Sequence, residues 1–212
     1  MQHDGEARLS LLGALRLLRF KSDGIGLFSG TPEAARRSFR QTLPLLLMGM
    51  IALAMLRPVD IAPVTASEAE LVLAFTATEA ARGTHLGHWI GTWIAAELMK
   101  WFGFLVAVHA LMRVMDHGTH FPRFVQVFNW MMVVRLMVLL VPQFLVLAGV
   151  FALEEGRGGV VIVYFLALAY QWFGYRTALE IPGSLAIALI IVETVMSVYI
   201  GSYAYSILLT YR

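Results

Sequence analysis

The sequence contains no cysteine and only two lysines, and just 14% of its 212 residues are charged. The missing cysteine excludes disulfides, thiolate nucleophiles and cysteine-based zinc or iron–sulfur sites. A soluble domain carries about 25% charged residues, so the shortage of charge argues against one. A formal net charge of +2 is too small to draw a nucleic acid. The residue patterns of common catalysts are missing as well. There is no Ser/His/Asp arrangement, no phosphate-binding glycine loop, no metalloprotease His–Glu pair and no pair of catalytic aspartates. The sequence therefore points to no enzyme and to no cofactor.

What it does contain is hydrophobic residues, 59% of the chain. They gather in runs of about 20, the length that crosses ~30 Å of hydrocarbon. The expected fold is all-α: a polytopic helical membrane domain over residues 36–212, preceded by an N-terminal region, 1–35. Five spans are expected, at about 36–57, 89–112, 124–149, 159–177 and 184–207. Pro142 is expected to kink the third. Thr31 can cap the first helix, with Pro32 at its first position. A capping box, Ser67 with Glu70, opens a short external amphipathic helix over about 68–82. No internal repeat is visible.

Residues 7–21 predict an interfacial helix. Arg8, Arg16 and Arg19 share a stripe, and Leu9, Leu11, Leu15, Leu17, Leu18 and Phe20 fill the broader arc opposite, with Leu12 out of place among the arginines. Three arginines in so short a stretch suit the headgroup boundary, with Arg8, Arg16, Arg19 and Lys21 as the lipid contacts. This stretch lacks a signal-peptide cleavage site, so the first span is expected to act as an uncleaved anchor. A cytoplasmic N-terminus places ten basic residues inside and four outside, and so sets the C-terminus outside. Arginine outnumbers lysine 14 to 2, as in GC-rich bacterial genomes, and the expected site is a bacterial inner membrane. Anionic lipid at the cytoplasmic face is the expected partner, with a second copy or another membrane protein as further partners.

Four charges interrupt the apolar runs: Glu97, Lys100, Arg135 and Glu193. A charge at the bilayer centre costs about 3 kcal/mol on insertion scales and faces a protein interior or a water path. Placed by span midpoints, the four form one neutral layer that joins spans two, three and five. Glu97 and Lys100 are three apart on one helix face and can pair. Arg135 must then find Glu193 or share Glu97. Such a layer is either an ionic clasp that fixes helix order, or a proton or ion path with an anion site at Arg135. Snorkelling, or contact with an oligomer partner, is the third reading. His109, Asn129, Gln143 and Gln171 are placed to extend the network, although interhelical glue is the commoner role of single polar residues. Asp116, His117 and His120 share a loop in metal-ligand spacing, but that spacing is common by chance, and a solvated loop is preferred. His85 and His88 beside Trp89 read as an interface anchor. Gly103 with Ala107, and Ser197 with Gly201, offer faces for close helix packing.

Five spans, a cytoplasmic N-terminal region and an outside C-terminus resemble the Yip (Ypt/Rab-interacting protein) family of small membrane proteins. The resemblance is one of topology over residues 36–207, with no residue motif carrying it. It implies a membrane scaffold or organising role without catalysis, and it supplies no site residues. Two functions follow from the sequence: a non-enzymatic scaffold or accessory subunit, or a small transporter or channel component that moves protons or small ions through the charged layer.

Overall fold

Residues 2–55 and 86–210 are described by a computed structural model. Their regular structure is all helical: α1 (Gln2–Leu18), a 3-10 turn (Ser22–Leu27), α2 (Pro32–Met55), α3 (Leu86–Val114), a short 3-10 turn (Gly118–His120), α4 (Phe121–Leu147), α5 (Leu153–Leu179) and α6 (Gly183–Thr210). Among the described residues, four segments are long and apolar enough to cross a bilayer: Gly91–Val114, Gly118–Leu147, Gly158–Leu179 and Gly183–Ile207. This is the make-up of a polytopic membrane protein. They match the second to fifth expected spans. The first expected span begins in α2, whose apolar part starts only after Arg40 and reaches the limit of the described residues at Met55. The external helix at 68–82, its capping box and His85 lie outside the described residues.

α4 is the central helix. Every residue from Phe124 to Met131 is buried, which requires neighbours on all sides of the helix. α2 packs along α4 in the same direction, since Gln126 donates to the Thr31 carbonyl and Asn129 donates to Ser38. α5 runs antiparallel to α4, and Met131 fills the space that a side chain at Gly174 would need. α6 runs antiparallel to α3, with Met196 against Gly103. Thr31 caps α2 as expected, accepting from the Ala34 amide at 3.2 Å. Pro142 lies inside α4, which continues to Leu147. The stretch expected between the third and fourth spans, FALEEGRGG, is mostly the first turns of α5, which begins at Leu153.

Four of the helices end alike. After α1, α3, α4 and α5 the chain turns through one residue in the left-handed region: Phe20 (φ 55°), Asp116 (φ 59°), Gly149 (φ 70°) and Glu180 (φ 56°). In each case the next amide bonds back to a carbonyl five residues earlier, as Lys21 does to Arg16 and His117 to Met112. This is the Schellman stop, usually built on glycine. Three of the four lack glycine, and each such residue stores about 1–2 kcal/mol of strain.

α1 corrects its sequence reading. Its broad apolar arc does not face lipid as a whole. Ser10, Gly13, Ala14 and Leu17 are buried against the bundle. Leu9, Leu12 and Leu15 are exposed beside Arg8, Arg16 and Arg19. Leu12 is therefore not misplaced; it belongs to the outward face. The bundle supplies the apolar partner that lipid was expected to supply. α1 also crosses the bundle instead of running along it. Glu6 forms a two-bond ion pair with Arg37 of α2 at 2.9 and 3.1 Å. Further on, Tyr170 of α5 donates to the Ala14 carbonyl at 3.0 Å, and Phe20 packs edge-on against Phe173. The 3-10 turn folds back so closely that a Cβ at Gly24 would lie 2.7 Å from the Gly13 carbonyl oxygen. Gly24→Ala is expected to lower stability by about 1–3 kcal/mol through overpacking. Gly26→Ala, with open space around it, should leave the thermal unfolding midpoint in detergent almost unchanged.

Candidate functional site

The polar side chains of the span interiors separate into three groups. The first centres on Glu193 of α6, whose side chain is only 13% exposed. Arg135 of α4 donates to its Oε1 at 3.2 Å. Gln171 of α5 donates to both oxygens, at 2.9 and 3.0 Å, and Tyr175, one turn further along α5, donates to Oε2. Gln171 and Tyr175 share a face of α5 because they are four residues apart. One carboxylate thus takes donors from two neighbouring helices, and both of its oxygens are satisfied. A recess of about 10 Å³ beside it is lined by Phe128, Met131, Met132, Arg135, Gln171 and Tyr175. That volume is at the lower limit for a single water.

The second group is Glu97 and Lys100, an ion pair within α3, as their spacing predicts. The four charges of the expected layer thus form two hydrogen-bonded pairs, Glu97 with Lys100 and Arg135 with Glu193. Arg135 takes Glu193, not Glu97, as its hydrogen-bonded partner. The expected joining of spans two, three and five is met between α4 and α6. Span four, not assigned to the layer by the charges, supplies Gln171 and Tyr175. Tyr175 was missed because a tyrosine in an apolar run carries no signal; its spacing from Gln171 was the available clue.

The third group is built on Asn129. It accepts from Trp101 Nε1 of α3 at 3.0 Å and donates to Ser38 Oγ of α2 at 2.8 Å. Ser38 in turn donates to the Ala35 carbonyl. Asn129 therefore binds three helices together, apart from the charged pairs it was expected to extend. Gln143 is buried in the far half of α4, and Gln171 is the one auxiliary residue that joins Glu193. His109 is a correction: it is exposed and packs against Phe121 with ring centroids 4.6 Å apart, because it sits on the outer face of α3. His117 and His120 have ring centroids 6.0 Å apart, and His120 faces Glu180, which also pairs with Arg123. Asp116 is exposed. Among the described residues no cluster of three metal-ligand types forms. Arg16 pairs with Asp23 at 3.3 Å, while Arg8, Arg19 and Lys21 are exposed.

Comparison with family models, with curated proteins and with solved structures finds no match. The chemistry must be read from the geometry. Glu193 takes donors from Arg135, Gln171 and Tyr175, and the arrangement can hold three helices in one rotational setting. Tyr175→Phe removes one of these donors and leaves Arg135 and Gln171 in place. It should lower stability by about 1 kcal/mol, read as a lower unfolding midpoint in detergent.

Proposed function

We propose that the protein is a non-enzymatic scaffold or accessory subunit of a bacterial inner membrane, and that its intramembrane ion pairs are structural clasps. In this reading α2 continues past Met55 as the first of five spans. The N-terminus lies in the cytoplasm, where ten basic residues then gather, and the C-terminus lies outside. The outline shared with Yip-like proteins accords with an organising role.

One observation carries the proposal: Glu193 is saturated by Arg135, Gln171 and Tyr175. A transport site needs groups free to exchange partners with an ion or a proton. Here the carboxylate has three protein donors, and the neighbouring recess holds one water at most. The pair also has a structural use, since polar contacts can orient helices where lipid tails solvate every apolar face equally well.

The alternative, a proton or small-ion path through the same charges, is separated by experiment. The purified protein in liposomes should show no proton, sodium or chloride flux above that of empty vesicles. Glu193→Gln leaves Arg135 without a counter-ion, at a cost of about 3 kcal/mol. Arg135→Gln should cost less, because Glu193 keeps the two neutral donors Gln171 and Tyr175. The double variant should regain part of the loss in unfolding midpoint. Flux that disappears in either single variant, with stability unchanged, overturns the clasp.

A further inference from the structure

We infer that α1 is a belt seated in the phosphate headgroup layer of an anionic leaflet, and that its position on the bundle fixes how deep the protein sits. Three independent features meet at the level of α1.

The first is length. Helices α3 to α6 contain 29, 27, 27 and 28 residues. At 1.5 Å per residue they measure about 40–44 Å, against ~30 Å of hydrocarbon. About 10–14 Å of helix must project beyond the apolar layer.

The second is where apolar surface begins. On α2 the exposed large apolar side chains are Leu45, Met48 and Ile51, and on α4 they start at Met137. On α5 they run from Val161 to Leu166 and stop short of Tyr170, where α1 lies. On the other side of α1 the same helices are buried by one another or carry polar groups, among them Arg123, Arg176 and Glu180. α3 and α6, which α1 does not cover, keep apolar side chains exposed nearer that end: Val106 and the terminal Val114 on α3, and Ile187 on α6. The stretch of α4 from Met131, at the level of α1, to the turn at Gly149 is about 27 Å long. That alone matches the hydrocarbon thickness, so the overhang lies on the α1 side.

The third is the outward face of α1. Leu9, Leu12 and Leu15 are exposed between Arg8, Arg16 and Arg19. Arg8, Arg19 and Lys21 form no ion pair among the described residues, and Arg36 and Arg40 of α2 add two more exposed cations. Leucines with guanidinium groups beside them fit acyl chains below and phosphates above. Glu6, Tyr170 and Phe20 hold the opposite side of the helix to the bundle, so the belt cannot change level without breaking these contacts. Glu97 and Lys100 neutralise each other within α3.

The chain has no cysteine, so a single introduced cysteine gives a single labelled site. Nitroxide labels on Leu12→Cys, Val141→Cys and Asp116→Cys are read for oxygen and nickel-chelate accessibility in phosphatidylcholine–phosphatidylglycerol vesicles. The Leu12 label should report the headgroup–acyl boundary, the Val141 label hydrocarbon, and the Asp116 label water. A Leu12 label in bulk water, or as deep as Val141, overturns the belt. The unfolding midpoint in nanodiscs should rise when phosphatidylglycerol replaces part of the phosphatidylcholine. That rise should be lost in the triple variant Arg8→Gln, Arg19→Gln, Lys21→Gln, whose changes are all at exposed positions. An equal rise in both proteins, or none in the wild type, overturns the anionic headgroup assignment. Both readouts are independent of whether the Glu193 pair is a clasp or a path.

Discussion

A carboxylate on α6 that the bundle leaves only 13% exposed must be satisfied by protein, and Glu193 achieves this by drawing donors from α4 and α5. The arrangement of the other helices depends on that demand. α6 is the least enclosed span, with only 11% of its most apolar window buried. Lipid tails are as apolar as leucine, so hydrophobic packing alone gives such a helix little reason to prefer one rotation over another. Glu193 removes the ambiguity, because only one rotation points it at Arg135, Gln171 and Tyr175. Rotating α6 away would leave Arg135 without its partner as well, and a guanidinium cannot be neutralised by losing a proton. The constraint therefore acts on α4 and α6 together, with α5 held between them.

α4 meets two environments along its length, and its sequence follows them. Its first half is surrounded by α1, α2 and α5, and there it carries Gln126 and Asn129, each paired to α2. Polar residues are tolerated at those positions because protein donors and acceptors face them from nearby helices. Its second half exposes Met137, Val141, Phe144 and Leu147, side chains whose natural solvent is lipid. The change from one regime to the other falls near Arg135, next to the level at which α1 crosses.

Much of the fold was legible because a bilayer limits what a sequence can mean. Runs of about 20 apolar residues have one economical reading, and the second to fifth spans lie within a few residues of their expected bounds. The pairing of Glu97 with Lys100 followed from their spacing, and charge balance left Arg135 either Glu193 or a share of Glu97, of which the structure forms the first. Three things were not legible. The helix stops at Phe20, Asp116 and Glu180 use no glycine, so nothing in the sequence marks them as left-handed. The share of Tyr175 in the Glu193 site was hidden, because a tyrosine in an apolar run carries no polar signal. The arginine stripe on α1 was visible, but not the fact that the bundle takes up the face opposite it. Tertiary packing and lipid compete for the same apolar surface, and the sequence pattern does not distinguish between them.

α5 brings the lipid-facing belt and the buried ion pair onto adjacent residues. Tyr170 holds the Ala14 carbonyl of α1, and the next residue, Gln171, holds both oxygens of Glu193. Tyr175, one turn on, completes the carboxylate and packs against Phe104, Phe124 and Phe128 in the aromatic core between α3 and α4. A helix is stiff over so short a distance. A shift of α1 large enough to carry Tyr170 with it must therefore move Gln171 relative to Glu193, or else break the Tyr170 bond. Each contact restrains the other through a single turn of backbone. The position of the belt and the rotation of α6 are in this way one structural variable, and the glutamine at 171 is the residue through which the two are joined.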